Sequence, residues 1–329
     1  MKSIRLLAVA ATLALLSPVL GGKAHADSAR VIKFGYILAP ESQLGAGATA
    51  FAKVLEAQTQ GRYKVEQHPN AALGGEVEMM KGIQLGSVDL AFITGAPLPT
   101  FVPEVGVLNV PFIFRDAAHA HAVLDGPIGA DYLKRFEAES IVALAWGENG
   151  NRHLTNSRRP VATPDDVKGL KLRTPQSDVI MNGFKALGAD ASQLPFPQLF
   201  EALKAGQFDG QENPIATIQA SKFDQVQKHL TLTAHVYDPA LIVMSPDLWD
   251  EASEEDRKAF LAAAKAGAAA SRAFAAEAEE KGVAALEQAG MQVVRTVDRA
   301  AFAKQVQPAM AGYEAKFGAD TIARIQAAR

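Results

Sequence analysis

The chain has 329 residues, with 33 Lys+Arg against 36 Asp+Glu, 48% hydrophobic and 21% charged residues, and no cysteine. This is the composition of a folded chain large enough for two lobes, not of a disordered, collagen-like or disulfide-stapled one. Lack of cysteine excludes thiol catalysis, Cys-ligated zinc, iron–sulfur clusters and a lipidated N-terminal Cys, and a formal charge of −3 without a dense Lys/Arg stripe gives no footprint for nucleic acid or an anionic membrane surface.

At the N-terminus, Lys2 and Arg5 precede a 15-residue apolar run, Leu6 to Leu20, followed by a small-residue site at Ala24-His25-Ala26. The pattern predicts a secretory signal peptide over residues 1–26, and the run is short of the about 20 residues that a membrane span needs. Cleavage after Ala26 removes Lys2, Arg5 and Lys23 and no acid. The mature 303 residues then hold 30 basic and 36 acidic side chains, a net charge of −6. The expectation is an exported, soluble, periplasmic protein.

Val31-Ile32-Lys33-Phe34-Gly35 alternates like a strand, and Gly45 to Gln60 places Ala50, Phe51, Val54 and Leu55 on one helical face before Gly61. Tyr63 to His68 alternates again, and His68-Pro69-Asn70 turns the chain. A helix from about Gly75 ends at Gly86, and Val88 to Ile93 is an apolar run of buried-strand type. This β-α-β-α-β order predicts a parallel, doubly wound sheet. A similar plan recurs about 120 residues later: a strand at Lys171-Leu172-Arg173, a helix over Asp178 to Leu187, and a second helix over Gln198 to Ala205. There Gly206-Gln207-Phe208-Asp209 echoes Gly86-Ser87-Val88-Asp89. The echo points to two lobes of related α/β architecture, each with a mostly parallel sheet.

After Ser245-Pro246 the chain turns Ala/Glu/Lys-rich, opened by a capping sequence at Ser253-Glu254-Glu255-Asp256 and closed by Gly290. Gly267 and Gly282 are its weak points, so it forms either one helix of roughly 50 Å bridging the lobes or two shorter ones.

Enzyme motifs are weak. Gly45-Ala46-Gly47-Ala48-Thr49-Ala50 mimics a dinucleotide fingerprint, but nine residues separate it from the strand end at Gly35, too far for the helix to meet a pyrophosphate. His119 and His121 are i,i+2 on a predicted helix and point to different faces. No H-E-x-x-H, EF-hand loop or G-x-S-x-G is present, so no metal, cofactor or catalytic residue is implied.

Three segments are informative: Trp146 to Ser157 (WGENGNRHLTNS), Thr163 to Pro175 (TPDDVKGLKLRTP) and Gly206 to Pro214 (GQFDGQENP). Together they resemble the solute-binding proteins of TRAP (tripartite ATP-independent periplasmic) transporters, a family that includes C4-dicarboxylate, sialic-acid and other organic-acid receptors. The resemblance extends over essentially the whole mature chain. It implies a non-catalytic, two-lobed receptor that closes on a small organic acid and delivers it to a permease of a small and a large membrane subunit. The rival readings are a periplasmic α/β enzyme acting on a small organic acid and an ABC-type binding protein.

By the same resemblance, Arg173 is the arginine that clamps the carboxylate; a planar guanidinium pairs both oxygens of such a group, which lysine does less well. Arg152 matches a second arginine that reaches the ligand in several members, Asn213 an asparagine that addresses it, and Phe196 an aromatic of the pocket. Trp146, Glu148 and Asn149 adjoin one hinge crossing and Tyr237 the return crossing. The competing reading pairs Arg173 with Asp165 or Asp166 on the surface and puts Phe196 in the core. Thr94 and Ile37 stand where sialic-acid receptors carry an acid and an amide, which disfavours that ligand. The expected lobes are residues 27–150 plus about 237–270, and 151–236 plus about 271–329.

Overall fold

The computed structural model describes residues 29–329, and the expected signal peptide lies outside the described residues. In chain order the elements are β1 (Arg30–Tyr36), α1 (Gln43–Gln58), β2 (Tyr63–His68), α2 (Glu76–Gln84), β3 (Leu90–Thr94), α3 (Ala117–Asp125), α4 (Pro127–Arg135), β4 (Val142–Asn156), β5 (Lys171–Thr174) and α5 (Asp178–Ala186). They continue with β6 (Asp190–Gln193), α6 (Leu199–Lys204), β7 (Gly210–Pro214), α7 (Ile215–Ala220), β8 (His229–Met244), α8 (Pro246–Glu251), α9 (Glu254–Gln288), β9 (Gln292–Val294), α10 (Arg299–Phe317) and α11 (Ala319–Ala327).

The strands form one sheet in the order β2-β1-β3-β8-β4-β7-β5-β6, with β9 pairing β8. The first lobe contributes the parallel set β2-β1-β3 and the second the parallel set β7-β5-β6, the β-α-β units that the apolar runs predict. What joins them is a pair of antiparallel strands, β4 with 15 residues and β8 with 16, which run through both lobes. β3 pairs with Ala240 to Met244 of β8, whereas β7 pairs with Arg152 to Asn156 of β4, so each lobe hangs on a different half of that ribbon. The sheet is therefore mixed where the lobes meet.

The sequence echo has a structural cause. Gly86 and Gly206 both sit at positive φ, +69° and +72°, which lets the chain turn sharply out of α2 and α6. Three residues on, Asp89 Oδ2 accepts from the Lys33 N–H at 2.8 Å and Asp209 Oδ2 accepts from the Lys171 N–H at 2.9 Å. Each aspartate thus anchors the central strand of its lobe.

α9 is a single helix of 35 residues, continuous through Gly267 and Gly282, about 52 Å long at 1.5 Å per residue. Ser253 caps it by accepting from the Asp256 N–H. It packs along α1 and the ribbon, and Gly267 is there for contact rather than as a break: a methyl group on Gly267 would lie 2.8 Å from Gly47 O, and one on Gly47 would lie 2.5 Å from the Phe92 ring. The glycine pattern near Gly45 is thus used for close helix approach. Gly267→Leu is expected to cost about 1–3 kcal/mol by overpacking, read as a lower urea midpoint. Gly312 in α10 has nothing within 4 Å of the added carbon, so Gly312→Ala should leave the midpoint unchanged or raise it.

The C-terminal segment touches both lobes. In α10, Tyr313 donates to Val179 O of α5 at 2.8 Å, while beyond it the His119 ring of α3 contacts Ile325 O at 2.9 Å and Arg115 donates to Gln326 O and Ala328 O. The segment 271–329, expected in lobe 2, therefore also straps lobe 1.

Candidate functional site

The C-terminal ends of parallel strands converge between the lobes, where doubly wound sheets place their ligands. Ile37 and Leu38 follow β1, Thr94 ends β3, Arg173 and Pro175 lie at the end of β5, and Glu76 opens α2. With Asn149, Arg152, Phe196, Asn213 and Thr217 they line a small cavity whose free volume is about 10 Å³. Of the residues expected in the site, the structure brings together Arg173, Arg152, Asn213, Phe196 and Asn149. Neither surface acid takes Arg173: Asp165 pairs with Lys168, and Asp166 caps the turn at Thr163.

The two arginines are in opposite electrostatic states. Arg152 is 2% exposed and already saturated with acid: Nε reaches Glu212 Oε2 at 2.5 Å, Nη2 reaches Glu212 Oε1 at 2.8 Å, and Nη1 reaches Asp238 Oδ2 at 2.6 Å. Burial opposes its charge, but Glu212 and Asp238 outweigh burial and hold the guanidinium above the usual arginine range. Burial likewise opposes the Glu212 charge, yet Arg152 and His235 bring that carboxyl down to about 2. Asp238 goes the other way, raised by burial, and burial also lowers His235, whose Nε2 lies 3.0 Å from Glu212 Oε2.

Arg173 is 1% exposed and has no acid partner. Nε and Nη2 both donate to Leu194 O, at 2.8 and 2.6 Å, and Nη1 has no partner in the protein. Burial, and then the positive charge of Arg152, hold this guanidinium below the usual arginine range. A buried cation that no carboxylate hydrogen-bonds, with an unused donor on a residue that lines the cavity, is costly by itself and is complementary to an anion; Glu212 and Glu76 relieve it only at a distance.

Polar groups complete the lining. Gln43 of α1 donates to Asn149 Oδ1 at 2.6 Å and to Thr217 Oγ1 at 2.9 Å, linking α1 of the first lobe to α7 of the second, and Asn149 Nδ2 donates to Asp238 Oδ2 at 2.8 Å. Glu76 Oε1 accepts from the Thr94 N–H at 2.6 Å, and burial pushes its carboxyl up to about 7 against the hydrogen bonds from Thr94.

Three expected residues are not part of this lining. Trp146 is turned toward α4, its indole N–H donating to Gly129 O at 3.1 Å. Glu148 meets His121 Nε2 at 2.6 Å and the Tyr237 hydroxyl at 3.1 Å, so Glu148 and Tyr237 form a separate cluster outside the cavity. The reason is a bulge. Glu148 pairs with Pro239 but Gly150 pairs with Asp238, so Asn149 is an extra residue. It reverses the alternation of β4, leaving Glu148 on the face of Tyr237 and putting Arg152 on the face of Asp238. Without the bulge, Glu148 and Arg152 would share a face.

Sequence reading missed Glu76, Thr217, Leu38 and Pro175 as lining residues, and it named Thr94 and Ile37 only as departures from one ligand class. Glu76 had only a weak signal: it is one of two carboxylates, with Glu78, in the first turn of α2. Among the described residues no group of His, Asp and Glu is arranged to hold a metal ion, and no helix is long and apolar enough to cross a membrane.

Comparison with known proteins settles the family. Residues 34–316 match the bacterial extracellular solute-binding proteins of family 7. The chain belongs to that family. It is 45% identical over 306 residues to a solute-binding protein of Verminephrobacter eiseniae, covering 93% of this chain and 91% of the relative. Among solved structures, a TRAP periplasmic solute-binding protein from Polaromonas sp. JS666 bound to D-erythronate is 48% identical, with a TM-score of 0.90 over 91% of this chain and 99% of the other. A counterpart from Bordetella bronchispeptica, with density interpreted as pantoate, is 46% identical with the same TM-score and coverage. The chain is thus a two-lobed α/β solute-binding receptor of the TRAP type, and the enzyme and ABC readings fall away.

Proposed function

We propose that this receptor captures a small organic acid between its lobes, with Arg173 as the carboxylate donor, and hands it to the two membrane subunits of a TRAP permease from the periplasm, after removal of residues 1–26. The observation that carries the reading is the buried, unpartnered Nη1 of Arg173, a cavity-lining residue that no carboxylate hydrogen-bonds. Arg152 has at most one free N–H, so its part is to orient Asn213, whose Oδ1 lies 3.3 Å from its Nη2, and to add positive potential. Phe196 and Pro175 supply apolar wall. Closure would bring Arg173, Asn213 and Thr217 of lobe 2 against Glu76 and Thr94 of lobe 1, bending at β4 near residue 150 and β8 near 236; in this division residues 27–150 plus about 237–270 move against 151–236 plus about 271–329, with α11 following lobe 1.

Charge-assisted hydrogen bonds contribute about 1.5–3 kcal/mol each, so two from Arg173 with one from Asn213 and burial of the guest reach micromolar affinity, about −8 kcal/mol. The test is thermal melting of the mature protein against a panel of carboxylates, neutral sugars and amino acids. A carboxylate at about 100 times its Kd should stabilise by about 2.7 kcal/mol. A panel in which only neutral sugars shift the midpoint would refute the reading.

A further inference from the structure

We infer that the cavity is selective for small hydroxylated monocarboxylates and rejects dicarboxylates, and that Glu76 is the residue that discriminates. The inference rests on the receptor reading above and goes on to the part of the guest that Arg173 does not touch.

The charge balance of the lining decides the first half. Its only cations are Arg152 and Arg173. Arg152 is matched by two carboxylates, Glu212 and Asp238, so a single cation remains for a guest. One carboxylate is neutralised by Arg173, and a second has no cation left to meet. It would instead meet Glu76, a buried carboxyl on the wall contributed by lobe 1. Burial and Asp238 of β8 already work against a charge on Glu76, with Arg173 of β5 the cation that relieves it; another carboxylate in the same enclosure adds repulsion.

Hydrogen-bonding capacity decides the second half. Each carboxylate oxygen accepts about two hydrogen bonds, and Thr94 takes part of that capacity of Glu76 through its N–H and its hydroxyl, so the group retains room for the hydroxyl of a guest. The hydroxyls of Thr94 and Thr217 line the same space, while Ile37, Leu38 and Phe196 set an apolar border. The free space between these walls is about 10 Å³, room for about one water, so a guest enters only as the lobes part and the close walls favour a short chain.

The experiment is isothermal titration of the mature protein at pH 8 with three probes: D-erythronate, succinate and monomethyl succinate. D-erythronate is expected to bind about 100-fold more tightly than succinate, the size of a like-charge contact of a few kcal/mol. Monomethyl succinate, which keeps one carboxylate and masks the other, is expected to exceed succinate by at least about tenfold. In Glu76→Gln, which keeps an oxygen for the Thr94 N–H, the ratio of D-erythronate to succinate should shrink at least about tenfold. Succinate equal to D-erythronate and monomethyl succinate in the wild type, or a ratio unmoved in Glu76→Gln, would overturn the inference while leaving the receptor reading intact. The wild-type comparison decides the matter even should Glu76→Gln not fold. If none of the carboxylates binds, or binding survives Arg173→Ala, both readings fall.

Discussion

Arg173→Ala is expected to weaken binding of the cognate acid by about 10²–10⁴-fold, from the loss of two charge-assisted hydrogen bonds of about 1.5–3 kcal/mol each. Titration calorimetry reads this directly. The ligand-free protein should melt no lower than about 2 °C below the wild type, because what is removed is a buried cation without an acid beside it, and that relief offsets the lost packing and the two bonds to Leu194 O. Arg173→Lys separates charge from geometry. An ammonium keeps the charge but loses the planar fork, so affinity should fall between the two. Wild-type affinity in Arg173→Ala would move the anion site elsewhere; an unfolded variant would mean that Arg173 is a structural residue.

Glu212→Ala is expected to have the largest effect on stability. It strips Arg152 of its bidentate partner and His235 of its acceptor, leaving a fully buried guanidinium with Asp238 alone. Breaking a buried ion pair in this way costs about 3–5 kcal/mol, equivalent to a midpoint about 5–8 °C lower for a chain of this size. The gap should depend on acid in a defined direction. The Glu212 carboxyl is depressed to about 2 from its ordinary 4.5, so its contribution is complete above about 4.5 and is lost as pH falls through about 2. Wild type and variant should therefore converge at the acid end. Asp238, raised by burial, has the opposite sign: its contribution is present below its ordinary 3.8 and is lost as pH rises through its folded value. A midpoint within 1 °C of wild type at neutral pH would show that Asp238 suffices to hold Arg152.

The residues that proved legible in the chain are those whose neighbours in sequence are also their neighbours in space. The apolar runs predicted the parallel units of both lobes because strand and helix periodicities are local. The Gly86–Asp89 and Gly206–Asp209 echo was visible because the turn and the aspartate that anchors the strand are three residues apart. Arg173 and Asn213 stood in stretches specific enough to be read as motifs, and both reach the interlobe cavity. Trp146, Glu148 and Tyr237 were grouped with them on the strength of lying near the crossings, and proximity along a strand does not fix the face.

Composition, patterning and three short segments were enough to exclude thiol and cysteine-metal chemistry, to point to two α/β lobes and to the receptor family, and to single out Arg173. Tertiary structure alone decided the rest: that Arg152 is matched by Glu212 and Asp238 while Arg173 is left without an acid, that α9 runs unbroken because Gly267 meets α1, and that Glu76 faces the cavity from the other lobe. The physical reason is that periodicity and motif are written within a few residues. Charge compensation, by contrast, is a sum over groups more than 50 residues apart, and one extra residue at Asn149 reverses which side chains take part in it.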